Sequence, residues 1–254
     1  MNISIFYRST AAISLNGSIA ALIPAGLIVV GNLLFFGLPD IMLLALPFFV
    51  YSFVCFHLYL YRMRQSFSTE KNIIDRPENK GDSLSEARHL LIIPQPTQSP
   101  ELHFFFQNGL FAGKIKRQHN FGLSRFWHGR AYTLFNEQGK EAGYFKVRGK
   151  NIEAYDQKNN YLGYFKKEKN KKQLFNKNGR PVCSIEGSNQ FMDEKVIAQN
   201  RQQAARLRRG WMRVQWLALF PDPNTPVMSF SEALSEKDKL LTMSLLVQEF
   251  FIER

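Results

Sequence analysis

Two clusters of cations are the residues best suited to chemistry in this chain, and the chemistry they offer is capture of anions. Lys166, Lys167, Lys169, Lys171 and Lys172 fall within seven positions. Arg206, Arg208, Arg209 and Arg213, with Arg201 just before them, form the second cluster. Lysine supplies a compact, strongly hydrated charge, and arginine a planar fork that grips phosphate or carboxylate through two hydrogen bonds. A solvated charge run is the competing account of the lysines, because most such runs only keep a surface wet. The other reactive residue types are sparse. His119 and His128 flank an aromatic stretch but have no cysteine or carboxylate at ligand spacing, so no metal is expected. Cys55 and Cys183 are too few for a disulfide framework. Cys183 reads as an inert buried small residue. No nucleophile elbow, phosphate-binding loop, dinucleotide fingerprint or zinc-protease motif is present. The expectation is therefore a non-catalytic protein without a cofactor.

The elements that must position these cations are set by repeats. Tyr132–Lys146, Ile152–Lys166 and Lys172–Glu186 are copies of one another at a spacing of 20 residues. Phe135, Tyr155 and Phe175 are in register, as are Gly143, Gly163 and Cys183, and Phe145, Phe165 and Ile185. Each copy reads as a β-hairpin. Asn136, Asp156 and Asn176 open the turn, and Gly139, Asn159 and Gly179 follow three residues later. Short amide or carboxylate side chains bond the backbone ahead of them, and Gly or Asn accepts positive φ, which together specify a type I turn with a left-handed residue. In the second arm of the first copy, Gly143, Phe145 and Val147 share a face that suits the inside of a small barrel. Tyr144, Lys146, Tyr164, Lys166, Ser184 and Glu186 lie on the other face, which belongs in water. A shorter relative, Phe104–Lys116, turns at Asn108-Gly109, the signature of a two-residue hairpin loop. Arg88–Ile93 reads as a first strand, and Ala204–Arg208 is helix by propensity but strand by its place in the series. Gly210–Phe220 reads as a long strand and Val227–Phe230 as a short one.

Charge divides the chain. Of 33 Lys and Arg and 21 Asp and Glu, only Arg8, Asp40 and Arg62 fall in the first 62 residues, so the formal net charge of +12 lies almost wholly in the rest. Residues 18–38 and 41–61 hold no Lys, Arg, Asp or Glu, and His57 is the one histidine among them. Each is long enough to cross a hydrocarbon core of about 30 Å at about 1.5 Å per residue. Gly37-Leu-Pro-Asp40 breaks them into a hairpin, and Gly17, Ala21 and Ala25 offer a small-residue face for close packing within it. Asn32 and His57 are expected to find partners inside the hairpin or near its edges. A cleaved signal peptide is the competing reading, but the stretch is too long and a second span follows at once. Arg8 precedes the pair, and Arg62, Arg64, Lys71 and Arg76 follow it. The positive-inside rule then places both termini in the cytoplasm, with the hairpin in the cell membrane. Expected boundaries are 1–64 for the hairpin, 65–87 for a linker and 88–254 for a mainly β domain.

The last element, Lys239–Ile252, is apolar nearly all round, so it must be buried as a helix over about 236–252, capped by Ser231 or Ser235. Successive hairpins with the Asn-x-x-Gly turn, closed by such a helix, resemble the tubby C-terminal domain and its LURP-one-related and phospholipid-scramblase-like relatives. The resemblance implies a closed β-barrel of about twelve strands around a buried C-terminal α-helix. Tubby domains bind phosphoinositides through basic residues, but no such motif matches here residue by residue. The cysteine patch and acidic calcium segment of the scramblases are also missing, which argues against lipid scrambling. The expected partners are the bilayer itself and anionic phospholipid headgroups or a membrane protein. Nucleic acid, the other generic partner of a basic domain, is not expected beside a membrane hairpin. An enzyme or lipid-moving protein with no recognisable motif is one alternative. An extracellular wall-binding repeat array is another, disfavoured because the repeats stop at Glu186.

Overall fold

The computed structural model describes residues 1–74, 83–95, 100–118, 130–169, 171–187, 192–210 and 212–253. The chain divides into two compact units, Met1–Arg76 and Pro77–Arg254.

The first unit is a helical hairpin. Helix α1 (Ile3–Gly31) continues through a π turn at Asn32–Phe36. The short α2 (Pro39–Met42) leads through a 3-10 turn into α3 (Leu46–Ile74). Both helices are long and apolar enough to cross a membrane. Small residues let them pack closely. Ala21 and Ala25 are buried, and Gly17 lies against Cys55. The Ser18 and Ser52 hydroxyls hydrogen-bond across the pair at 2.9 Å. Asn32 closes the loop by donating to the Leu38 carbonyl and accepting from its N–H. His57 packs its ring edge-on against Phe53 at 4.3 Å. Residues 65–74, expected in a linker, are instead the last turns of α3. They stay helical because Ser66 and Thr69 are buried and Glu70 pairs with Arg8, while the Ser66 hydroxyl donates to the Ser4 carbonyl.

The second unit is a closed antiparallel barrel of twelve strands. In order they are β1 (His89–Gln95), β2 (Glu101–Phe105), β3 (Phe111–Arg117), β4 (Ala131–Asn136), β5 (Glu141–Arg148), β6 (Asn151–Asp156), β7 (Tyr161–Glu168), β8 (Lys171–Asn176), β9 (Pro181–Gly187), β10 (Asp193–Ala198), β11 (Gln203–Arg208) and β12 (Val227–Phe230). Each pairs with its neighbour in sequence, and β12 pairs back with β1. The three repeats are the hairpins β4–β5, β6–β7 and β8–β9. Their turns form as their residue types dictate. Asn136 Oδ1 accepts from the N–H groups of residues 138 and 140. Asp156 and Asn176 repeat the pattern. Gly139, Asn159 and Gly179 take φ of 76°, 67° and 72°.

The structure departs from the sequence expectations in three places. The β2–β3 loop is not a two-residue turn. Phe106 N–H donates to the Leu110 carbonyl and Gly109 N–H to the Phe106 carbonyl, the same longer loop as in the repeats. Residues 212–220 are not a strand. Val214–Trp216 is a 3-10 turn, and Trp216, Leu219 and Phe220 are buried. Phe220 lies edge-on to Phe105 at 6.2 Å, so this segment covers part of the outer wall. The count of twelve is reached instead through β10, while 203–208 is strand β11, as its place in the series indicated and against its helix propensity.

The interior is filled by Phe145, Phe165, Leu134, Ile152, Leu174 and their neighbours around the C-terminal helical segment. That segment runs as α4 (Glu236–Thr242), α5 (Ser244–Val247) and a π turn over Gln248–Ile252. Ser235 caps it by accepting from the Asp238 N–H. Leu245, Leu246 and Val247 are fully buried. Gly143 makes room for it, because a Cβ there would come within 2.9 Å of Leu240.

Candidate functional site: the ion cluster and the outer walls of the barrel

Strand parity splits the lysine run. Leu174 faces the interior, so Lys172, two residues earlier on β8, does too. Its side chain is only 8 % exposed. Lys172 Nζ donates to Glu194 Oε1 on β10 at 2.8 Å and to Glu249 Oε1 on the C-terminal helical segment at 2.8 Å, with Glu253 Oε2 at 3.9 Å. Lys167 also reaches Glu253, which accepts from the Gln248 amide as well. Five charged groups thus tie the wall to the last turns of the chain. Two ammoniums cannot neutralise three carboxylates, and the titration behaviour follows. Burial alone would push the Lys172 ammonium down, but its bonds to Glu194 and Glu249 hold it above the usual lysine range. Burial lifts the Glu249 carboxyl above its ordinary value, and Lys172 only partly offsets this. Burial lifts Glu253 too, but Lys167 and Gln248 more than compensate and leave it low.

The other lysines of the run are solvated. Lys166 faces outward and pairs with Glu168 at 2.5 Å. Lys169 turns the chain with φ of 49°, and Lys171 is exposed at the start of β8. The run therefore straddles two strand ends and is not one connecting loop.

The arginines are likewise divided. Arg206 grips Asp193 through both Nε and Nη2 at 2.7 Å, which holds the Asp193 carboxyl below the usual range. Arg213 lies over the Trp216 ring at 5.4 Å. Arg208 pairs in register with Asp193, and the Arg209 N–H donates to the Met192 carbonyl. Strands β9 and β10 separate Arg206 and Arg208 from the lysine run, so the two basic regions are distinct.

A third group was not read as a site from the sequence. On the outer wall, Tyr144 of β5 stacks on Tyr155 of β6 at 4.6 Å with an interplanar angle of 6°. Tyr164 of β7 stacks on Phe175 of β8 at 4.7 Å and the same angle. Lys146 Nζ sits 5.2 Å and 5.1 Å from the rings of Tyr144 and Tyr155. Tyr155 donates to Glu153, and burial followed by that carboxylate pushes its hydroxyl up to about 12. The sequence placed Tyr144, Lys146, Tyr164 and Lys166 on this face, but the stacked pairs exist only through the cross-strand register.

On the neighbouring β2–β3 wall, Glu101 joins Lys114, Lys116 and His103. Burial raises the Glu101 carboxyl, and the two lysines bring it below its ordinary range.

The architecture is a closed twelve-strand barrel with a central helical segment. No family model matches the chain, and no curated protein is similar to it. Among solved structures, it is similar to the X-ray structure of a protein from Arabidopsis thaliana. The identity is 19 % and the TM-score 0.47, over 68 % of this chain and 97 % of that one.

Among the described residues, no group of three or more His, Cys, Asp or Glu is arranged to hold a metal ion. His119 and His128 lie outside the described residues. Cys183 is half-buried, and burial pushes its thiol up to about 11, so it is protonated at neutral pH and a poor nucleophile. The most heavily buried ionisable cluster among the described residues, around Lys172, is held in mutual ion pairs, with Glu194 Oε2 left without a hydrogen-bond partner. It lines neither the cavity of about 510 Å³ by Leu134, Leu240 and Met243 nor that of about 600 Å³ by Gln173 and Ser184.

Proposed function

We propose that this chain is a tubby-like barrel tethered to the cell membrane by its helical hairpin, and that it acts as a non-catalytic binding module for anionic lipid headgroups. The observation that carries this reading is the exposed apolar surface of the first unit. Leu27, Leu34, Phe35 and Phe53 are 64–79 % exposed, an array that water does not tolerate and a hydrocarbon core does. A hairpin held there keeps a basic barrel beside an anionic leaflet, where each nearby Lys or Arg contributes about 1 kcal/mol.

The barrel unit, residues 83–254, is expected to float with vesicles containing phosphatidylserine and not with phosphatidylcholine alone. It should be released as salt rises, because surface attraction is screened over about 8–10 Å near physiological ionic strength. Replacing Lys166, Lys169 and Lys171 by Gln tests the solvated part of the run. Lys167 and Lys172 are left intact because their ion pairs hold the fold. Absence of flotation with either vesicle would direct attention to a membrane-protein partner.

Topology has its own check. The basic flanks predict both termini in the cytoplasm. With Cys55 and Cys183 replaced, a cysteine at Asp40 should react with an impermeant thiol reagent added outside intact cells. Labelling of a C-terminal cysteine instead would reverse the orientation.

A further inference from the structure

The outer wall of the barrel has three kinds of surface. Around β1 and β2 it is covered by the chain itself, where Trp216, Leu219 and Phe220 are buried and His89 and Phe105 meet Trp216 and Phe220. Around β10 and β11 it is polar, with Arg206 locked to Asp193 and Lys195 exposed. Across β5–β8 it is a half-buried sheet of stacked rings with lysines between them.

We propose that this β5–β8 wall is the surface that lies on the headgroup layer of the membrane carrying the chain; the inference rests on the lipid-binding reading above and names the face that performs it. Three observations select that occupant. First, the ring faces are already used in part. Tyr144 lies on Tyr155 and Tyr164 on Phe175 at an interplanar angle of 6°, so one face of each ring is taken by its partner. A nucleic-acid base or a sugar needs an open ring face to stack on, and pairing leaves fewer of them here than four separate rings would offer. Edges tipped with hydroxyls are what tyrosine presents at a membrane interface, with an apolar body and a polar end. Second, Lys146 has no carboxylate at ion-pair distance among the described residues, and its charge is held over two rings. That ammonium, although Glu153 lies opposite Lys146 in the ladder, is complementary to a lipid phosphate. Third, the hairpin supplies the bilayer at high local concentration, so a modest attraction per residue suffices.

The test uses the full chain in nanodiscs of phosphatidylcholine alone or mixed with phosphatidylserine, and measures the rate of lysine acetylation by mass spectrometry. Modification of Lys146 should slow about fivefold in the anionic discs, the ratio set by the attraction of one lysine to an anionic leaflet. High salt should restore it, and exposed Lys195 on β10 should react equally in both discs. Lys146→Glu should abolish the slowing at Lys166. If Lys195 is protected and Lys146 is not, another wall faces the lipid: the assignment of this face fails and lipid binding stands. If no lysine responds to lipid charge, both fail. Equal slowing of Lys146 in the two discs would mean that the stack itself shields it, which also overturns the assignment.

Discussion

Lys172→Met should lower the melting temperature of the barrel by roughly 10 °C. The variant removes the ammonium shared by Glu194, Glu249 and Glu253 and leaves carboxylates in a largely dry site. Breaking one side of a buried ion pair costs about 3–5 kcal/mol, and a domain of this size moves about 2–4 °C per kcal/mol. Glu249→Gln should behave in the opposite way at neutral pH, leaving stability unchanged or higher. The Glu249 carboxyl titrates above its ordinary range, so the folded barrel holds that proton more tightly than the unfolded chain. The stability linked to it is full below the unfolded value and is lost as pH rises through the raised one. Glu253 runs the other way: its carboxyl is depressed, so its contribution is present above the unfolded value and is lost as pH falls through the folded one. A melting profile against pH should therefore lose its decline across the Glu249 range in the Gln variant. A silent Lys172→Met would show that the cluster does not hold the terminal turns to the wall.

Leu246→Asp should prevent the barrel from folding. Leu246 is 0 % exposed in the core formed with Phe145 and Phe165. A carboxylate there has no cation to meet, so it must stay protonated or expel the helix. Because that variant gives no measurable transition, Leu246→Ala supplies the graded case. It should cost about 2–5 kcal/mol through lost burial and the cavity left behind, read as a fall in denaturation midpoint without a change in slope. A midpoint unmoved by Leu246→Ala would mean that the barrel closes without its central helix.

The parts of this fold that are local in origin were legible in the sequence. Asn136, Asp156 and Asn176 hydrogen-bond to the backbone two and four residues on, and such chemistry does not depend on distant neighbours. The inward parity of Phe145, Phe165 and Ile185 was equally plain, because one wall meets the core and the other does not. Residues 212–220 misled for the same physical reason. A segment that buries Trp216 and Phe220 against the outside of a barrel shows the apolar pattern of a strand that buries its side chains within. The candidate site was less legible. Lys172 looked like one of five surface lysines, although its parity with Leu174 placed it inside. The charge density of the run hid that signal. Nothing local announces that Glu194 and Glu249 meet there, since they come from β10 and from the C-terminal helical segment. The stacked rings depend on the register between one repeat and the next, β5 against β6 and β7 against β8, which no turn within a repeat displays. Each repeat shifts register once beside its turn, at Leu134/Phe135, Ala154/Tyr155 and Leu174/Phe175.

The seam between β1 and β12 has a kinetic consequence. Every other pairing in the barrel joins strands adjacent in the chain and can form as an independent hairpin within microseconds. The seam alone joins the two ends, setting Leu91 opposite Val227. Its closure must bear the entropy of the whole intervening loop and so comes late. Until then the nascent sheet is open at both sides, with β1 carrying the apolar run Leu90-Leu-Ile-Ile93 along an unpaired edge. The interval before closure is when one copy of the chain can pair with another. The helical hairpin precedes the barrel in the sequence, so it leaves the ribosome first. On the tether proposed above, chains are already anchored when their barrels form and meet one another less freely during that interval.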